Sequence, residues 1–404
     1  MHLRYLTLFL TLFLFSNILH SASQEGSQLL KANKTASICC KLSRRPLLSK
    51  NEFLKTVLFI EEKLANFIEQ KKYYLRQSET GLLCPIEYDP ITRSIFIHLP
   101  IVVGQGADKK VTKSILYDAR RPKIVARLVQ KESEQTSLEV RTLKRLKGSR
   151  GVLQLVAQTK HSENGVAYVT FFTHYYSAGS LAAVINDCSY RFSLKEKMKI
   201  ALDILKGLEM IEKRGIIHRD LKKENYLIEV VQDRKRKEGK TVKRRIQVVI
   251  ADFGNALSVH SVQGQKPQLS SSYSAPEGIF FDKLRGSEYY KTDLFAAGCV
   301  LYRLFYERKP FWQLVGEKNK ASGVARKKRV IELLEAESCK RRKALELKAA
   351  KNLKLTIKEQ LELLILIMVH PEPALRSNAK SLRKKLVSIL YQDSVKNRKF
   401  DKKS

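Results

Sequence analysis

Acidic residues are scarce in this chain. Its 404 residues hold 40 Asp and Glu against 76 Lys and Arg, a formal net charge of +36. Such an excess invites an acidic protein, an anionic membrane surface or nucleic acid. The basic residues are scattered, however, with concentrations near 234–245 and 317–355, and no zinc finger or RNA-binding sheet motif accompanies them. Solvated faces account for most individual charges, and no specific nucleic acid is expected. Cysteine is sparse as well. Cys39, Cys40, Cys84, Cys188, Cys299 and Cys339 include no C-x-x-C pair, which excludes a disulfide scaffold and a zinc site of ordinary spacing. With 18 Gly, 10 Pro and no repeat of fixed period, fibrous and solenoid architectures fall away. A hydrophobic content of 44% excludes wholesale disorder, and the length suits one large domain plus an extension, or two domains.

What the chain does contain begins with an apolar run, Tyr5 to Leu19, behind Arg4 and ahead of "HSAS". Residues 1–24 read as a signal peptide or signal anchor, so the expectation is a secreted or membrane-anchored protein, with export into a host cell as one form of it. The run is short for a spanning helix. Residues 25–95 read as a helical extension. Within residues 50–77, Phe53, Val57, Ile60, Leu64 and Phe67 recur at spacings of three and four, the stripe of an amphipathic helix. From Ser94 the texture turns β-like, in "SIFIHLPIVVGQG", "KKVTKSILYDA" and "PKIVARLVQ". A helix, "TSLEVRTLKRLKG", and two further strands follow. Beyond Ser180 the pattern is mostly helical, and "SLKEKMKIALDILKGLEMIEKRG" has Ser193 as N-cap and Gly215 as stop. A strand-rich half followed by a helix-rich half predicts two lobes with a cleft between them.

Three short stretches carry chemistry. In "VVGQGADKKV", Gly104 and Gly106 let backbone N–H groups approach phosphates, a weak signal alone, and no Gly-Lys-Ser/Thr follows to make a Walker site. In "IIHRDLKKENYLI", Asp220 and Asn225 lie five apart between segments that want burial. In "IQVVIADFGNAL", a strand runs into Asp252. Asp220 suits the orientation of an attacking hydroxyl and acceptance of its proton. Asn225 and Asp252 are hard oxygen donors suited to Mg²⁺ or Mn²⁺ on a polyphosphate, and Lys222 is placed to approach the γ-phosphate.

Taken in order, these stretches resemble the eukaryotic-type protein kinase superfamily over approximately residues 96 to 391. "HRDLKKEN" resembles the catalytic loop, in its Ser/Thr wording; "DFG" (Asp252 to Gly254) and "SAPE" (Ser274 to Glu277) bracket an activation segment. "KTDLFAAGCVLYRLF" is similar to the buried helix whose Asp293 holds the catalytic loop, and "HPEPALRSNAKSL" to the closing motif, where Arg376 pairs with Glu277. "SLEVRTLKRL" is similar to the regulatory helix, with Glu139 as its ion-pairing carboxylate. "VTFFTHYYSAGSL" resembles the hinge, with Thr173 behind the adenine and His174, Tyr175 and Tyr176 along it. Val111 and Ala126 take the places of nucleotide-pocket residues.

One departure stands out. The family's third strand places a lysine two residues after the pocket-facing Ala, and here that position is Leu128; Arg127 should face the other way. The third glycine of the loop is replaced by Lys109, and one family branch, named for lacking the usual lysine, carries its lysine there. The resemblance therefore implies an α+β fold with a small antiparallel-sheet lobe (96–176), a large mainly helical lobe (177–391) and a basic tail (392–404). It implies an ATP- and Mg²⁺-dependent (or Mn²⁺-dependent) serine/threonine kinase with Asp220, Lys222, Lys109 and Glu139 as catalytic residues. The alternative is a weak or dead pseudokinase that serves as a nucleotide-binding scaffold. A protein substrate is the expected partner, acidic sequences and an anionic membrane surface suiting the charge; oligomeric state is not legible.

Overall fold

Runs of alternating apolar residues build an antiparallel sheet at the N-terminal end of the described residues. The computed structural model describes residues 73–76, 83–89, 94–105, 109–117, 123–186, 191–232, 244–262, 273–278, 284–310, 312 and 323–400. These fall into two compact units, Met1–Thr136 with Leu155–Tyr175, and Ser137–Gln154 with Tyr176–Ser404.

The first unit holds β1 (Tyr73–Arg76), β2 (Leu83–Asp89), β3 (Ser94–Gln105), β4 (Lys110–Tyr117), β5 (Lys123–Lys131), β6 (Leu155–Glu163) and β7 (Val166–His174). They form one seven-stranded antiparallel sheet in the order β1-β2-β3-β4-β5-β7-β6. Phe96, Leu116, Val125, Ala157 and Phe172 make an apolar core on one face, with the Phe96 and Phe172 rings stacked at 3.7 Å between centroids. On that same face β2 meets β6, where Thr159 Oγ1 donates to Glu87, so the sheet curls until its second strand reaches its last. Edge strands expose unpaired backbone groups, and curling of this kind protects them.

The second unit is mainly helical: α1 (Glu134–Arg145, its first three residues in the first unit), α2 (Leu181–Asn186), α3 (Leu194–Lys213), α4 (Glu288–Tyr306), α5 (Gly323–Leu333), α6 (Lys340–Ala350), α7 (Ile357–Met368) and α8 (Ala379–Phe400). A π-helical turn, Leu334–Cys339, joins α5 to α6. Ser193 begins α3 through a capping box: its hydroxyl accepts from the Glu196 N–H while the Glu196 carboxylate accepts from the Ser193 N–H. Gly215, at φ +64°, ends it, as the spacing predicts. A hairpin of β9 (Tyr226–Gln232) and β10 (Arg244–Ile250) packs on α3. At that contact a Cβ on Gly207 would stand 2.5 Å from the Gly151 carbonyl, so only glycine fits. The protein thus has the expected α+β architecture, a small antiparallel-sheet lobe and a large helical lobe.

Two expectations change. The segment read as helical over 25–95 contributes strands β1, β2 and the start of β3, because its last residues pair along the sheet edge rather than continue a helix. The amphipathic stretch before Tyr73 lies outside the described residues. The expected secreted or membrane-anchored location is also corrected. No helix among the described residues is long and apolar enough to cross a membrane, and residues 1–24, on which that reading rested, lie outside them.

Candidate active site

In the large unit the polar stretch from His218 to Asn225 is pinned at both ends. Upstream, β8 (Ile216–Ile217) is buried and pairs with β11 (Leu257–Ser258). Downstream, Tyr226 is fully buried at the start of β9, and Leu221 anchors the middle at 1% exposure. Burial of apolar residues on each side is what lets polar ones stand between them.

Asp293, projecting from α4 and 3% exposed, accepts the His218 N–H at 2.7 Å and the Arg219 N–H at 2.9 Å. Burial raises the Asp293 carboxyl above its ordinary value, and the charges and amides of His218 and Arg219 pull it partway back. The His218 ring is fully buried. Its Nε2 donates to the Ala251 carbonyl at 2.9 Å, its Nδ1 accepts the Asp220 N–H at 3.4 Å, and it rests on the Phe253 ring. It braces the loop and does not offer a base. Arg219 and Asp252 both take left-handed backbone, φ 69° and 65°. Such conformations cost roughly 1–3 kcal/mol each outside glycine, and here they flank the reactive side chains.

Asp220 is the focus of the loop. Lys222 Nζ donates to its Oδ2 at 2.7 Å, and Asn225 Nδ2 donates to its carbonyl at 2.8 Å and to Oδ2 at 3.3 Å. With its amide nitrogen so committed, Asn225 keeps its side-chain oxygen as the remaining donor to a cation. The Ala251 N–H donates to the Asn225 carbonyl at 2.8 Å, which ties the loop to the backbone just before Asp252. Asp220, Lys222 and Asn225 are thus held by one short hydrogen-bonded network that reaches the backbone just before Asp252. A cavity of about 30 Å³, the space of one water, lies beside Arg219, Asp220, Tyr273 and Thr292. Farther back, Arg376, 1% exposed, makes a bidentate pair with Glu277 at 2.5 and 2.9 Å and also donates to the carbonyls of His370 and Lys291. Glu139 sits in α1 at 2% exposure, and Tyr176 is buried, its hydroxyl pushed up to about 12 by burial and by Glu229.

In the small unit, Gly104 pairs with Val111, while Gly106 lies outside the described residues. Lys109 is half-buried just before β4. The register then sets one face of the sheet: Val111 opposite Leu128, and Leu128 opposite Phe171, with Ala126 opposite Thr173. Residues directly opposite share a face. His174 and Tyr175 follow Thr173, and burial lowers the His174 imidazole below its ordinary value. Arg127 points to the other face, its Nε 4.0 Å from Glu87 Oε2, so it does not stand in for a lysine at Leu128.

The strand pairing also supplies a cation on this face. Lys113 lies opposite Ala126, on the Leu128 face, 5% exposed, with its ammonium 4.8 Å from the centre of the Tyr175 ring. Leu128 therefore does not leave this face without a lysine. The signal was present: alternation in "KVTKS" sends Lys113 the same way as Val111. It was hidden among 76 basic residues.

The family model described as "Protein kinase domain" matches residues 99–387. The chain is 30% identical over 155 residues to a probable serine/threonine-protein kinase, gdt8, of Dictyostelium discoideum, 38% of this chain and 11% of that protein. It is 36% identical over 116 residues to the human MAPK/MAK/MRK overlapping kinase, 28% of this chain and 23% of that one. It is 29% identical over 155 residues to mitogen-activated protein kinase kinase kinase 17 of Arabidopsis thaliana, 38% and 37% respectively. The chain thus spans well under two thirds of each of these relatives. The match over residues 99–387, the two-lobe fold and the Asp293-braced loop converge on one statement: the chain belongs to the protein kinase family and is related to its serine/threonine kinases.

Proposed function

We propose that this chain transfers the γ-phosphoryl group of ATP to serine or threonine hydroxyls of protein substrates. The observation that carries the reading is the network joining Asp220, Lys222 and Asn225 to the backbone before Asp252. A phosphoryl transfer needs positioned groups more than covalent chemistry. Asp220 orients the substrate hydroxyl and takes its proton at a carboxylate oxygen. Lys222, bound to that carboxylate, holds it in place and presents positive charge beside it. The oxygen donors fit a hard divalent cation: Asn225 and Asp252 would hold Mg²⁺ or Mn²⁺, which when bound supplies neutralisation of phosphate charge. Lys109, at the entrance of β4, takes the role of phosphate-binding ammonium, Glu139 that of the family's ion-pairing carboxylate, and the Val111–Ala126–Thr173 face takes the base.

One observation favours the scaffold reading. Leu128 follows Ala126 on its face of the sheet, and the lysine of that face, Lys113, rests its ammonium on Tyr175, in the hinge segment. Incubation with labelled ATP and Mg²⁺ separates the two. Wild-type chain should label itself or a generic acidic protein, and Asp220→Asn should lower that rate by about 10²- to 10⁴-fold. Nucleotide binding by the wild type without any turnover would establish the scaffold instead.

A further inference from the structure

The large unit carries a groove far from its catalytic chemistry in sequence, between the end of α6, α7 and α8. Its volume is about 890 Å³, within the range of about 300–1,000 Å³ found for ligand pockets. The floor is apolar, with Leu364 and Ile389 each 4% exposed. Gln360 keeps the helices in register by donating from Nε2 to the Leu355 carbonyl and to Gln392 Oε1, both at 3.1 Å. Two large residues of the lining stand out into solvent, Leu353 at 56% and Tyr391 at 70%. Large exposed apolar side chains beside a recess are the usual anchors of an interface.

The charges are one-sided. Lys354 and Lys385 line the groove, and no Asp or Glu is among the described residues lining it. Two neighbouring carboxylates on α7 are already committed. Glu359 accepts from Lys348 at 2.8 and 3.0 Å, and Glu362 holds Arg341 through two bonds of 2.9 Å. Lys343, Lys351, Lys380 and Lys384 are exposed on the same helices or just beyond their ends, so a second copy would meet its own charge. A flat lipid surface would touch the rim and leave the apolar floor unfilled.

We propose that this groove docks an acidic peptide segment of a protein partner, seating apolar side chains against Leu353 and Tyr391 and setting carboxylates against Lys354 and Lys385. The docking is independent of phosphoryl transfer. Like other charge-complementary contacts it weakens with salt.

The test uses the full chain and a fluorescent synthetic probe peptide that alternates Leu or Phe with Glu, read by anisotropy. Wild type should bind the probe, less tightly as salt rises. Lys354→Glu with Lys385→Glu should weaken binding by about tenfold or more and transfer preference to a probe with Lys in place of Glu. Tyr391→Ala, at an exposed position, should lose both probes. Asp220→Asn should bind as wild type does, which keeps this result separate from the fate of the catalytic reading. Unchanged affinity in the double Glu variant would overturn the proposal. So would a dimer in sedimentation that Tyr391→Ala dissolves, since a second copy would then own the groove. Retention on vesicles containing phosphatidylserine with no probe binding would overturn it too, in favour of a membrane.

Discussion

The two lobes treat the family's pattern in opposite ways. In the large lobe the motif residues from His218 to Asn225 follow one another along a single loop, which Asp293, His218 and Asn225 tie at the backbone of His218, Arg219, Asp220 and Ala251. In the small lobe the cation on the Ala126–Leu128 face comes from the neighbouring strand, as Lys113, and strands β1 and β2 extend the sheet on the N-terminal side. The difference is one of physical demand. A carboxylate that must meet a hydroxyl at hydrogen-bond distance requires a fixed backbone, including the left-handed turns at Arg219 and Asp252. An ammonium on a flexible stem is a point charge, and any strand that sends it to the right face will serve.

The large lobe is the more sensitive of the two to loss of a single side chain. Arg376→Ala strands the Glu277 carboxylate and opens the carbonyls of His370 and Lys291 inside the protein. Loss of one partner of a buried pair costs about 3–5 kcal/mol. Urea denaturation should therefore show a much lower midpoint, and Arg376→Lys should recover only part of it because the second bond to Glu277 is gone. A midpoint near that of the wild type would mean that the large lobe tolerates change as readily as the small one.

The next effect sharpens the small-lobe side. Lys109→Met should reduce transfer from labelled ATP by about 10²- to 10³-fold, the scale of a lost electrostatic stabiliser. Lys113→Met should act mainly on the apparent nucleotide KM, since its ammonium lies over Tyr175 and not along the glycine loop. Arg127→Met should leave the rate nearly unchanged and lower the melting temperature, because it removes the charge beside Glu87. A larger loss of rate in the Lys113 variant than in the Lys109 variant would move the phosphate-binding role inward along β4.

Legibility in the sequence follows the same divide. The hold of Asp293 on the loop and the Arg376–Glu277 pair could be read because each residue sits inside a short stretch whose spacing reflects local backbone geometry. The long helices were readable for the same reason: Ser193 and Gly215 mark the ends of α3 through contacts a few residues away. The small lobe's arrangement depends on register between distant strands. Nothing near Glu87 announces that it will accept from Thr159, 72 residues on, or that its hairpin will pair with β3. Lys113 was half legible, since alternation gives its direction, but only the β4–β5 register places it opposite Ala126. The apolar start of the chain lies outside the described residues, and none of the described helices is long and apolar enough to cross a membrane.

The smallest effect lies in the curled interior of the small sheet. His98 is 6% exposed, with Nδ1 3.0 Å from Ser114 Oγ and Nε2 3.0 Å from Glu87 Oε2. Burial, with help from the Arg127 charge, holds its imidazole below the ordinary 6.5 although Glu87 opposes them. Burial also pushes Glu87 up, but the bonds from His98 and Thr159 and the Arg127 charge leave it below 4.5. Both folded forms resist protonation, so the unfolded chain takes up the proton first as pH falls. The stability His98 contributes is complete above 6.5 and is lost below it, and Glu87 adds a second loss below 4.5. The large lobe offers a contrast in Glu359, held at about 2 by Lys348 and Thr356, whose contribution is untouched until pH falls below 4.5. Melting temperature should therefore drop between about pH 7.5 and about pH 5.5, and His98→Gln, which keeps a hydrogen-bonding side chain but cannot titrate, should flatten the drop. An equal drop in the variant would place the acid sensitivity outside the Glu87–His98 network, and the closure of the small sheet would then owe its stability to the Phe96–Phe172 core alone.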